Sequence, residues 1–235
     1  MKNVQLCPNC NAENPIYKYS CTSCKAFLRA RVVNIDLWQT IAALIESPKE
    51  TFKKIIEAEH KNFVIFLNVL VGIKLFLISV ILHSFAEINS VKTDFFFINL
   101  LVIIGVSFVV LSLFSYLLTK INSLFSLLNR FRDNYSILIY SFLPLLMSLV
   151  ILSPVHYALF GPYWFTYNPP PYIVKETEAY ILLFIEGLLV VWGLFLVISG
   201  VHAQTNNKLY SIAVGCIFYV LLAALLYYIP FLPLS

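Results

Sequence analysis

Charge is what this sequence has least of. Asp, Glu, Lys and Arg make up 12% of its 235 residues, about half the ~25% of an ordinary soluble domain. So few charges cannot solvate a globular surface of this size, and they are too few for a disordered chain. Glycine and cysteine are sparse as well, at 7 and 5, which excludes a collagen-like repeat and a dense disulfide framework. There is no P-loop, no H-E-x-x-H and no G-x-S-x-G. With no evident nucleophile–base pair either, no catalytic residue and no enzyme activity is expected. Residues 1–30 hold no apolar stretch of the signal-peptide kind, so the first span is expected to act as its own insertion signal. What is present is apolar: 60% of the chain, against ~45–50% in soluble domains. The class is an all-α integral membrane protein.

Uncharged runs mark the spans, since about 20 apolar residues cross the ~30 Å of hydrocarbon. They predict five helices: Phe63 to about Ala86, Phe95–Thr119, Ile137–Tyr157, Tyr180–Gly200 and Leu209–Ile229, the last stopped by Pro230 and Pro233. Residues 158–178 read as a loop on the membrane surface. They carry Phe160, Tyr163, Trp164, Phe165 and Tyr167, which suit an interface, and then Pro169-Pro170-Pro171, which cannot continue a helix.

The remaining charges set the orientation. Residues 1–62 hold 15 of the 28. With the N-terminus inside, the cytoplasmic segments 1–62, 119–136 and 201–208 together carry 13 Lys and Arg. The outer loops carry only Lys92 and Lys175. The positive-inside rule then predicts a cytoplasmic N-terminus and an outer C-terminus, in the plasma (inner) membrane if the source is prokaryotic. The chain divides into a head (1–31), a juxtamembrane segment (32–62) and a membrane domain (63–235).

The head holds Cys7-Pro8-Asn9-Cys10 and Cys21-Thr22-Ser23-Cys24, with ten residues between the pairs. Each C-x-x-C puts two thiolates on one tight turn, and two such turns complete a tetrahedral Zn²⁺ site. Disulfides would need an oxidising compartment, whereas the topology puts these cysteines in the cytosol. Cys7, Cys10, Cys21 and Cys24 are therefore expected to hold structural zinc in a small zinc ribbon. No further His or acid sits nearby to suggest an open position. Cys216, in the last span, reads as a buried inert thiol. Lys2, Lys18, Lys25, Arg29 and Arg31 outnumber Glu13 in the head. That bias suits anionic headgroups or nucleic acid, but positive-inside placement explains it more simply, and a nucleic-acid partner is not expected.

Two amphipathic helices are expected next. Leu37, Trp38, Ile41, Leu44 and Ile45 form one apolar face. Ser47-Pro48-Lys49-Glu50 reads as a capping box opening a second helix, in which Phe52, Ile55 and Ile56 face the membrane interface. Lys53, Lys54 and Lys61 would then reach phosphates. A third such helix is expected from Ile121, Leu124, Phe125, Leu128 and Phe131, ended by Arg130 and Arg132. It lies on the bilayer or packs on the cytoplasmic side of the bundle.

This order of parts resembles the Yip family, the Ypt/Rab-interacting integral membrane proteins, and in particular prokaryotic members with an N-terminal zinc ribbon. The resemblance covers residues 35–229. It rests on Trp38 ahead of Ser47-Pro48…Thr51-Phe52, on Tyr140-Ser141-Phe142-Leu143-Pro144, and on Trp192 with Gly200. Uncharacterised prokaryotic proteins with a zinc ribbon before a membrane bundle share the head. The resemblance implies a five-span fold. Eukaryotic members are linked to Rab binding and ER–Golgi traffic, a role that does not transfer to a prokaryotic chain.

Two charges fall within spans, Lys74 and Glu186. Each costs at least ~2.5–3.5 kcal/mol at mid-bilayer if unpaired. At 1.5 Å per residue they lie about 18 and 21 Å from the inner edge, which predicts an ion pair between the first and fourth spans. The pair is either a register-fixing clamp or a proton or ion relay. Asn68 and Asn99 add hydrogen-bonding groups to the spans. His60, His83, His156 and His202 read as interfacial. The functional expectation is a membrane scaffold or adaptor whose ribbon docks a cytoplasmic protein. The alternative is a small permease, channel or lipid-handling protein using Lys74 and Glu186, with a homo-oligomer possible in either case.

Overall fold

The computed structural model describes residues 3–85 and 96–228. The expected outer loop around Lys92 and the C-terminal prolines lie outside them. Two short strands, β1 (Val4–Leu6) and β2 (Glu13–Pro15), are followed by α1 (Leu37–Glu46), α2 (Pro48–Glu57), α3 (Val64–Phe85) and α4 (Phe96–Leu124). Then come α5 (Phe131–Ser141), α6 (Leu143–Phe160), α7 (Tyr163–Thr166), α8 (Pro171–Val174), α9 (Glu176–Thr205) and α10 (Lys208–Tyr228). Five helical stretches are long and apolar enough to cross a membrane: Val64–His83, Phe96–Leu124, Phe131–Phe160, Glu176–Thr205 and Lys208–Tyr228. The third is α5 and α6 in series. Its break at Phe142 falls inside Tyr140-Ser141-Phe142-Leu143-Pro144, where Pro144 sits in the first turn of α6 and supplies no N–H to continue α5.

The chain forms two compact units. One comprises residues 1–65, 111–141 and 195–215, and the other residues 66–110, 142–194 and 216–235. In the first unit β1 and β2 pair antiparallel, Gln5 opposite Asn14, and carry the cysteine turns. Asp36 caps α1 by accepting the Gln39 N–H at 2.8 Å. The expected capping box at Ser47 does not form. Ser47 ends α1 as well as starting α2, and its hydroxyl turns back to the Ala43 carbonyl. The apolar face of α2 is not at a lipid interface either. Phe52, Ile55 and Ile56 are all buried, and Phe52 packs where the Gly200 backbone of α9 and Ile137 of α5 come together.

The third amphipathic helix is absent. Residues 121–124 extend α4, and the chain then reverses through Ser126, whose φ is 58°. Asn122 is the reason. Its side chain is buried, accepting from Tyr210 Oη at 2.6 Å. Its carbonyl ends the helix by accepting the N–H groups of Phe125 and Leu127. Arg130 and Arg132 therefore stand at the start of the next helix rather than at the end of one.

In the second unit α3 and α4 approach closely at Gly72, where an added Cβ would lie 2.9 Å from Ile104 Cα. Ser107 donates there to Asn68 at 3.2 Å. The aromatic segment after α6 is not a surface loop. Trp164 and Tyr167 are each 4% exposed, and Trp164 clusters with Phe160, Ala179 and Leu182. Cys216 is likewise not buried but exposed on α10, as a small apolar group facing lipid can be.

Candidate functional site

The cysteine turns are two copies of one structure. In the first, Cys7 N–H donates to the Ala12 carbonyl at 3.0 Å and Asn11 N–H to the Cys7 carbonyl at 2.9 Å. In the second, Cys21 and Lys25 make the same bonds, to Ala26 and Cys21, at 2.8 and 3.2 Å. Closing each turn puts the residue after its second cysteine in the left-handed region: Asn11 at φ 57° and Lys25 at φ 61°. Asparagine tolerates this conformation well.

The four Sγ atoms lie within 4.8 Å of one another. Cys7 and Cys24 are 3.5 Å apart, and Cys10 and Cys21 3.6 Å. Thiolates about 2.3 Å from one tetrahedral ion would stand ~3.8 Å apart, so the set fits a metal ion. The electrostatics agree. Backbone N–H groups of Cys24 and then Ser23, together with the Asn14 amide, hold the Cys21 thiol down at about 6. Cys10 is pushed up to about 12, because the neighbouring thiols and burial outweigh the N–H of Ala12. A bound cation would offset the mutual repulsion of thiolates held this close.

The ribbon is tied firmly to the rest of the first unit. Asn3 makes a two-way amide bond with the Leu128 backbone, at 3.1 and 3.0 Å. Arg29 donates to the carbonyls of Tyr17 and Glu57 at 2.9 and 3.0 Å. Arg31 forks onto Glu59, Nε and Nη2 each donating to one carboxylate oxygen at 2.9 Å. Asp133 is fully buried and holds Arg130 at 2.8 Å and Lys61 at 3.2 Å. Lys61 also donates to the Ile55 carbonyl. Burial lowers the Lys61 ammonium to about 8, against the pull of Asp133. Lys61 therefore does not reach outward to phosphates. Sequence reasoning passed over Asp133. The signal was an acid at the mouth of a span, three residues after an arginine.

In the second unit Lys74 of α3 and Glu186 of α9 are 4% and 7% exposed. Lys74 Nζ donates to Glu186 Oε1 and Oε2 at 2.7 and 2.9 Å, and to Ser148 Oγ of α6 at 2.6 Å. Ser148 in turn donates to Glu186 Oε1 at 2.6 Å. Three helices thus meet in one closed network, and all three ammonium protons have acceptors. His156, eight residues beyond Ser148 on α6, is 2% exposed rather than interfacial. Its Nε2 lies 4.0 Å from Glu186 Oε1, and its ring stacks on Trp164 at 4.0 Å. Ser148 and His156 were not paired with the charges in the sequence. Their only signal is a pair of polar residues two turns apart in an apolar span.

No curated protein and no solved structure matches the chain. A family model, the Yip1 domain, matches residues 42–229. That stretch runs from the middle of α1 through α10 and takes in the Lys74–Ser148–Glu186 network and every membrane-spanning helix. A four-cysteine ribbon stands ahead of it. The chain belongs to the Yip1 domain family and is a multi-pass membrane protein of that type.

Proposed function

We propose that this protein is a non-catalytic membrane scaffold whose ribbon docks a cytoplasmic protein. Residues 1–31 form a ribbon held by structural Zn²⁺, 32–62 a juxtamembrane connector and 63–235 the membrane domain. The N-terminus is cytoplasmic and the C-terminus outside, in the plasma membrane if the source is prokaryotic, a reading supported by the 13-to-2 bias in Lys and Arg. The observation that carries the docking reading is the ribbon surface. Four sulfur donors leave a zinc ion no open position, yet Leu6 and Phe27 beside them are 62% and 67% exposed. A nucleic-acid partner is disfavoured, because Arg29 and Arg31 are spent on internal acceptors.

The alternative, a permease or channel through Lys74 and Glu186, is less well supported. Every ammonium proton already has an acceptor within 2.9 Å, which suits a clamp holding three helices in register.

Quantitative co-purification of the full chain tests the docking role. Leu6→Asp with Phe27→Asp, and separately Cys7→Ser with Cys10→Ser, should lose the same identified protein. That protein should rebind the purified wild type alone. An unchanged partner list in both variants would reject docking.

A further inference from the structure

A cleft of about 260 Å³ opens on the first unit. The ribbon forms one wall. The first turns of α2 supply Lys49, Glu50 and Lys53, the end of α9 supplies Gln204, and the turn after it supplies Asn206. Three features make the cleft a receptor for an anion. Lys49 and Lys53 are one helical turn apart and exposed; Lys53 feels Glu57 only at longer range, and neither lysine makes an ion pair within 4 Å among the described residues. The N-terminus of α2 also faces it. Pro48 opens that helix and the Ser47 side chain does not cap it, so the N–H groups of Lys49 and Glu50 have no acceptor within the helix. The third feature is independent of both. Gln204 is 2% exposed, and its Oε1 is taken by Asn122 at 3.4 Å. Its Nε2, however, has no hydrogen-bond partner. A buried donor left unpaired is destabilising until something accepts from it. The opposing carbonyl end of α9 is partly occupied, since His202 accepts the Asn206 N–H at 2.8 Å.

The charge narrows the ligand. Two lysines against Glu50 leave the lining at a net +1, which matches a singly charged phosphodiester better than a polyanion. The turn at 206–207 joins two helices long and apolar enough to cross a membrane, so the cleft stands at one end of those spans, the level at which a bilayer would present its headgroups.

We propose that this cleft binds a phosphodiester group through Lys49, Lys53, the first turn of α2 and the Gln204 amide. The source is either a phospholipid headgroup or a soluble phosphodiester.

The test uses the full chain in detergent, in two arms. In the lipid arm, native mass spectrometry counts phosphatidylglycerol retained in competition with phosphatidylcholine. In the soluble arm, glycerophosphoglycerol and inorganic phosphate are tested for a rise in melting temperature. Lys49→Ala with Lys53→Ala should weaken binding about ten-fold, as should the uncharged change Gln204→Leu. The charge-matched control Lys54→Ala with Lys120→Ala, both exposed and outside the cleft, should bind like wild type. An effect in the lipid arm alone identifies a headgroup, and an effect with glycerophosphoglycerol identifies a soluble ligand. Equal binding by wild type and both cleft variants, or an equal loss in the control, would overturn the proposal.

Discussion

At the scale of single residues, the buried charges carry the largest energies. Lys74, Ser148 and Glu186 form a network in which each polar atom depends on the other two. Removing one partner from such a buried pair costs roughly 3–5 kcal/mol, while replacing both by apolar groups of similar volume is often tolerated. Lys74→Met and Glu186→Leu should therefore each lower the melting temperature in detergent, and the double variant should recover much of the loss. The coupling from that cycle is the measurement. Additive losses would mean that each charge is satisfied elsewhere. Ser148→Ala removes two hydrogen bonds to charge but should be milder, at about 1–3 kcal/mol, since the ammonium and carboxylate keep each other.

At the scale of elements, glycine sets how closely the helices approach. A Cβ on Gly200 would stand 2.6 Å from Ile137 Cγ2 and 3.1 Å from Phe52. Both neighbours are fully buried and cannot give way. A Cβ on Gly72 would meet Ile104 Cα, which is backbone. Around Gly105 and Gly187 nothing lies within 4 Å. Gly200→Ala and Gly72→Ala should thus each destabilise by about 1–3 kcal/mol through overpacking, while Gly105→Ala and Gly187→Ala should be neutral or slightly stabilising. Thermal unfolding of the four variants side by side checks this. A uniform response would mean that helix propensity, not packing, dominates. The same elements show why periodicity alone misleads. Phe52, Ile55 and Ile56 have the spacing of a membrane-surface helix, and protein covers them instead.

At the scale of the whole molecule, the metal centre and the membrane helices draw on different forces. Among its described residues the ribbon has two three-residue strands and buries no apolar side chain except those of Cys7 and Cys21, so a metal bound by its cysteines would supply much of its folding energy. The spans satisfy their backbone groups internally and need no metal. Purified protein should contain about one zinc per chain. Chelation should raise the number of alkylatable thiols from one, the exposed Cys216, to all five. Helical circular dichroism should stay nearly constant. A chain that keeps the four thiols protected without metal would refute the zinc centre.

Much of this protein was legible without coordinates. Uncharged runs of about 20 residues admit one reading, because a helix is the one open structure that leaves no backbone group unsatisfied in hydrocarbon. Two C-x-x-C turns are local, so their chemistry shows in four letters. The family was legible for the same reason, its motifs being contiguous. What tertiary structure alone decided is which surface covers each apolar face. Spacing shows that Ile55, Trp164 or Cys216 lies on an apolar side, but not whether protein or lipid lies against it. Polar contacts at long range were equally hidden. Asp133 with Lys61, Ser148 and His156 beside Glu186, and Asn122 with Tyr210 all join residues far apart in the chain. A buried polar group must find a partner, but only the packed helices decide which partner is within 3 Å.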